Sequence, residues 1–198
     1  MSQDGVNKTR RALLVGATAG VGAVGAGFLA VPFVKSWMPS EKAKAAGAAA
    51  KVDVSKIEPG AMITVEWRGK PVYVARRTED MLSGLEGLAD RLKDPDNGNK
   101  AQQPEYADNV YRSRQPDLIV VEGVCTHLGC APKYFPEVEP QQFDPNWQGG
   151  WFCPCHGSRF DLSGRVFSGS PANDNLVIPP YMFQDGNVVV IGEDEETA

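Results

Sequence analysis

The chain has 198 residues, with 20 basic against 25 acidic side chains and a net charge of −5. That length holds one compact domain and a short appendage. The mild acidic balance, with no basic run that could track phosphates, does not suggest nucleic acid as a partner.

Residues 1–11 form a polar N-terminus ending on Arg10-Arg11. From Ala12 to Val34 there are 23 consecutive residues without a charge, rich in Ala, Val, Leu and Gly. A helix needs about 20 residues to cross a roughly 30 Å hydrocarbon core, so 12–34 reads as a transmembrane anchor. A buried core helix fits less well, because so many glycines form helix poorly in water. In a bilayer, Gly16, Gly20, Ala23 and Gly27 offer a small-residue face to partner helices. Lys8, Arg10 and Arg11 predict a cytoplasmic N-terminus, and Trp37 suits the far interface. The arginine pair ahead of an apolar run looks like a twin-arginine export signal. The domain that follows is therefore expected on the periplasmic side of a bacterial inner membrane. Ala48-Ala49-Ala50 has the character of a processing site, but the apolar run exceeds a signal-peptide core, which favours a retained single-pass anchor.

Residues 35–51 read as a tether, Ala-rich and polar from Pro39 onward, with no apolar face to bury. The domain then occupies 52–198. Met62–Trp67 and Pro71–Ala75, joined by Arg68-Gly69-Lys70, form a hairpin pattern. Thr78 caps an expected short helix over 79–92, with Glu79 and Asp80 in its first turn. Residues 93–110, rich in Asn, Pro and Gln, read as a surface insertion. Leu118–Val121 is an expected strand, followed later by Leu176–Ile178, Tyr181–Phe183 and Val188–Ile191, the last two joined by a turn at Gln184-Asp185-Gly186. Strands dominate, so the soluble part is expected to be all-β, a small antiparallel sandwich.

The chain has four Cys and two His, and all six lie between positions 125 and 156. Small apolar core cysteines would be scattered instead. They fall in Cys125-Thr126-His127-Leu128-Gly129-Cys130 and Cys153-Pro154-Cys155-His156-Gly157-Ser158. Each motif offers one Cys and one His to a metal, with one Cys left over. Soft thiolates suit iron with sulfide bridges, and imidazole can replace thiolate on one iron. A zinc ribbon fits poorly, since its knuckles use Cys-x₂-Cys rather than Cys-x₄-Cys and Cys-x-Cys. A pair of structural disulfides would leave both histidines unexplained.

With these paired motifs the chain resembles the Rieske iron–sulfur subunits of bacterial ubiquinol–cytochrome c reductases, from the twin-arginine anchor to the C-terminal strands. The resemblance implies one [2Fe–2S] cluster, with ligands Cys125, His127, Cys153 and His156 on loops at 125–130 and 153–158. It implies a disulfide between Cys130 and Cys155, which suits an oxidising compartment. It further implies that the cluster tip docks on a cytochrome b subunit, takes one electron from ubiquinol and passes it to a c-type cytochrome, coupled to proton translocation in a dimeric complex. His156 would accept a hydrogen bond, and then a proton, from the quinol hydroxyl; Leu128 would touch the rim of the quinol site. Ser158 is expected to donate to a bridging sulfide.

Two positions depart from that pattern. Many relatives have Tyr two residues after the motif's Ser, where this chain has Phe160. They also tend to carry a second Pro after Pro-Ala in the loop covering the cluster, where Pro171-Ala172 is here followed by Asn173. The competing classes are a Rieske ferredoxin feeding an oxygenase, which usually lacks the extra cysteines and the anchor, and the small subunit of a periplasmic oxidoreductase such as arsenite oxidase.

Overall fold

The computed structural model describes residues 7–194, so expectations for 1–6 and 195–198 lie outside the described residues. The described chain separates into two units, divided between Ala45 and Ala46.

The first unit is helical. Helix α1 runs Lys8–Ser36, and the Asn7 side chain caps it by accepting from the Arg10 amide at 3.0 Å. None of its residues is buried, and it is long and apolar enough to cross a membrane. The expected apolar span sits inside it. The tether is not wholly irregular, because Glu41–Ala46 forms a short helix, α2. Ser40 accepts from the Ala43 amide at 3.1 Å, and Lys44 pairs with Glu41 at 2.8 Å.

The second unit is built from three antiparallel three-stranded sheets. β1 (Ala50–Asp53), β9 (Val188–Ile191) and β8 (Tyr181–Gln184) form one, in the order β1-β9-β8. β2 (Met62–Trp67), β3 (Lys70–Arg76) and β4 (Leu118–Glu122) form the second, and the hairpin register pairs Met62 with Ala75 and Trp67 with Lys70. β5 (Lys133–Phe135), β6 (Gly150–Phe152) and β7 (Arg159–Asp161) form the third. One core joins them: Val52, Val189 and Ile191 from the first sheet, Val72, Val74, Ile119 and Val121 from the second, Trp151 and Phe160 from the third. The soluble part is all-β, with a separate small sheet carrying the cysteine loops.

Three expectations need correction. The helix over 79–92 is really α3 (Glu79–Ser83), a break at Gly84, and a 3-10 stretch over Glu86–Arg91. Glycine favours termination, and the Leu82 carbonyl accepts from the Leu85 amide rather than continuing an α ladder. Leu176–Ile178 is not a strand. Its backbone groups go to three places, with the Leu176 amide on Gly164, the Val177 carbonyl on Glu122 and the Ile178 amide on Gln102, and Pro179-Pro180 has no amide to extend a ladder. The folded part also begins at β1, two residues before the expected boundary at 52.

Candidate metal centre

The same backbone arrangement builds both cysteine loops. The first connects β4 to β5, and the second connects β6 to β7. In the first, the Cys125 amide donates to the Cys130 carbonyl (2.8 Å) and the Gly129 amide to the Cys125 carbonyl (2.9 Å). In the second, the Cys153 amide donates to the Ser158 carbonyl (2.8 Å) and the Gly157 amide to the Cys153 carbonyl (2.9 Å). Each motif is thus a turn closed on its own first and last residues. Gly129 and Gly157 sit at φ of 82° and 81°, which side chains resist.

Burial sorts the donors. Cys125 and Cys153 are each only 2 % exposed, whereas His127 is half-buried and His156 is exposed. The two imidazole centroids are 4.8 Å apart with ring planes at 88°, so nitrogens from both can reach one ion. The Cys130 and Cys155 sulfurs are bonded to each other and tie the loops together. Sγ of Cys130, Cys153 and Cys155 lie within 4.8 Å of one another. Two of those three are consumed by the disulfide, so Cys153 alone of this group has a thiol to give a metal. Burial pushes the Cys153 thiol up; the Cys155 amide works against this, the Cys125 side chain adds to it, and the His156 amide again favours the thiolate. Two buried thiols in contact, amide donors aimed at one of them, and two neighbouring imidazoles on the same two loops fit a mixed-ligand iron–sulfur group.

A third segment fastens onto both loops. The Thr126 hydroxyl donates to the Asp174 carbonyl at 2.6 Å, and the Ala172 amide donates to the Ser158 hydroxyl at 3.1 Å. Ser158 is fully buried; accepting from Ala172 uses a lone pair and leaves its proton to donate elsewhere. Leu128 projects from the first loop, 70 % exposed. Phe160 is fully buried on β7, opposite Trp151 on β6.

Sequence reasoning missed several supporting residues. Tyr73 on β3 donates its hydroxyl to the Pro132 carbonyl at 3.0 Å, anchoring the exit of the first loop. Its ring also lies against Gly123 at the entrance, where an added Cβ would come within 2.4 Å of it. One side chain therefore holds both ends of that loop. The glycine just before the motif was the available signal.

Beyond β7 the chain turns at 161–165, gripped by buried arginines. Arg77 donates to the Leu162 carbonyl (3.0 Å) and the Ser163 hydroxyl (3.2 Å), and Arg112 to the carbonyls of Ser163 (3.2 Å) and Gly164 (3.3 Å). Arg165 pairs with Asp161 at 2.8 Å, both fully buried. Burial pushes Arg77 and Arg112 down to about 10, against the upward pull of Asp161, so both remain charged at neutral pH.

Residues 89–181 match the family described as the Rieske [2Fe-2S] domain. Residues 1–40 match one described as "Ubiquitinol-cytochrome C reductase Fe-S subunit TAT signal". The chain is 52 % identical over 198 residues to the ubiquinol-cytochrome c reductase iron-sulfur subunit of Allochromatium vinosum, covering 100 % of this chain and 95 % of that protein. It is 42 % identical over 192 residues to the protein of the same name from Rhodospirillum rubrum, covering 96 % of each. Among solved structures, a chain of "Hyperthermophilic respiratory Complex III" aligns with a TM-score of 0.49 and 28 % identity, over 90 % of this chain and 98 % of that one.

Proposed function

We propose, because the chain belongs to the ubiquinol-cytochrome c reductase iron–sulfur subunit family, that Cys125, His127, Cys153 and His156 hold its Rieske [2Fe–2S] cluster. The chain works as the iron–sulfur subunit of a cytochrome bc complex, a redox enzyme that oxidises ubiquinol and reduces cytochrome c. Family membership sets aside the ferredoxin and arsenite-oxidase readings. The observation that carries the ligand assignment is the pair of matched turns, each holding one buried free thiol and one imidazole nearer the surface.

When bound, a cluster with two imidazole ligands supplies a one-electron acceptor of higher potential than an all-thiolate centre. The chain's own residues do the rest. His156 is exposed, and its outward nitrogen accepts the hydrogen bond of a quinol hydroxyl and then the proton. Leu128 meets the apolar rim of the quinol site. The disulfide limits how far the loops can part. Helix α1 carries the anchor at 12–34, the residues between it and β1 tether the domain, and the chain from β1 onward forms its body on the periplasmic side of the inner membrane. Cytochrome b and a membrane-bound c-type cytochrome are the partners, in a dimeric complex.

The test is His127→Ala and His156→Ala in the membrane-purified complex, identified by its b- and c-haem spectra. Each change abolishes the mixed-ligand electron paramagnetic resonance signal of the reduced cluster and quinol oxidation with it. A normal signal in either variant removes that residue from the ligand set.

A further inference from the structure

The polar segment that begins at Lys93 reaches the stretch 170–175, which bonds both cysteine loops. Its entry lies alongside 166–168: the Ser168 amide donates to the Arg91 carbonyl at 2.8 Å, and the Lys93 amide to the Val166 carbonyl at 2.9 Å. With the backbone fixed there, the Lys93 ammonium meets the carbonyls of Ser170 and Ala172, each at 2.7 Å, and Oδ1 of Asn173 at 3.4 Å. Two more bonds join the same stretches. Asn99 donates its side-chain amide to the Asp174 carboxylate at 2.7 Å, and Asn175 donates to the Asp94 carbonyl at 3.1 Å.

The stretch held in this way, 170–175, is the one fastened to both ligand loops through Ala172 and Thr126. An ammonium has three donors, and three acceptors surround this one. Asn173 contributes one of the three.

We propose that Lys93 is a positioning residue, whose ammonium clamps residues 170–173 against the two cysteine loops. The clamp's meaning for the cluster rests on the ligand assignment above; its geometry does not. Charge-assisted bonds from one cation to the Ser170 and Ala172 carbonyls resist local opening more than neutral contacts do.

Lys93→Met removes the charge and keeps the stem, and the full chain in detergent serves for the measurement. Hydrogen exchange at the Ala172 amide and its neighbours quickens on the order of tenfold, while exchange across β3 stays as in the wild type. The lifetime of the cluster's visible absorption under an iron chelator shortens several-fold, and Lys93→Arg falls between. Asn173→Ala, which removes the weakest of the three acceptors, gives a smaller change in the same direction. Unchanged exchange at 170–174 in Lys93→Met overturns the proposal. So does an equal rise at β3, because that is general loosening. A normal resonance signal in His127→Ala or His156→Ala would overturn the ligand assignment instead, and the exchange contrast between wild type and Lys93→Met would still decide the clamp.

Discussion

Asp161→Asn tests how the second cysteine loop is supported from below. Oδ1 of Asp161 accepts from the amides of Ser163 (2.9 Å) and Arg165 (2.8 Å), and Oδ2 accepts from the Arg165 guanidinium (2.8 Å). Three buried guanidiniums, Arg77, Arg112 and Arg165, bear on this turn, and Asp161 is the buried carboxylate among them. Asparagine keeps the shape but removes the charge, and its amide must turn either a donor toward the guanidinium or a donor toward the backbone amides. Removing one partner of a buried pair costs about 3–5 kcal/mol, since the opposite charge is left uncompensated. Against a typical total of roughly 5–15 kcal/mol, that is a large share. With a slope of about 2 kcal/mol per molar, the urea midpoint should fall by on the order of 2 M. Tryptophan fluorescence of the full chain in detergent reads it, because Trp147 and Trp151 are buried beside this region. A fall of less than about 0.5 M, or roughly 1 kcal/mol at that slope, would show that the arginines are neutralised by other means and refute the reasoning.

Changing both Cys130 and Cys155 to Ser should leave the proposed ligands intact but give a labile cluster. The bridge spans a sequence separation of 25, and freeing such a loop costs about 3.5 kcal/mol in the unfolded chain; an unchanged cluster lifetime would sink the idea. Gly150→Ala should prevent cluster assembly, because a Cβ there would lie 2.0 Å from the Phe160 carbonyl and force β6 from β7, so a normal resonance signal in that variant would count against the packing argument. Phe160→Tyr should raise the reduction potential by about 40 mV, taking about 1 kcal/mol of differential hydrogen bonding for a one-electron couple, and Ser158→Ala should lower it similarly. Voltammetry showing Phe160→Tyr at or below the wild type would refute the donor argument.

What could be read without coordinates was the chemistry confined to short stretches. The proposed ligands Cys125, His127, Cys153 and His156 sit in two six-residue motifs, and ligand chemistry demands particular side chains at close spacing. The long apolar run behaved likewise, because span length is a local property. The third sheet escaped notice because β5, β6 and β7 have three residues each, too few for a period of two to appear. The 79–92 helix was overextended because its apolar spacing continues past Gly84 while its hydrogen bonding does not. Tyr73 and Lys93 were out of reach for a different reason. Tyr73 meets Pro132 across 59 positions and Lys93 meets Ala172 across 79, and no pattern in one chain links residues that far apart.

These long-range contacts bear on where motion is possible. The two cysteine loops are tied to each other by the disulfide, to β3 by Tyr73, and to 170–175 through Thr126 and Ser158. A site held on so many sides has few local openings of low cost. The tether differs in kind. Helix α2 has six residues, one exposed pair between Glu41 and Lys44, and a Ser40 cap. Helices shorter than about 12–15 residues are marginal in water without tertiary packing, and an exposed ion pair adds only about 0.2–0.5 kcal/mol. Any movement of the domain between an electron donor and an acceptor is therefore cheapest at 39–49, by melting α2. Ala-rich composition allows both states there, since Ala loses no side-chain entropy in a helix and buries nothing that melting would expose.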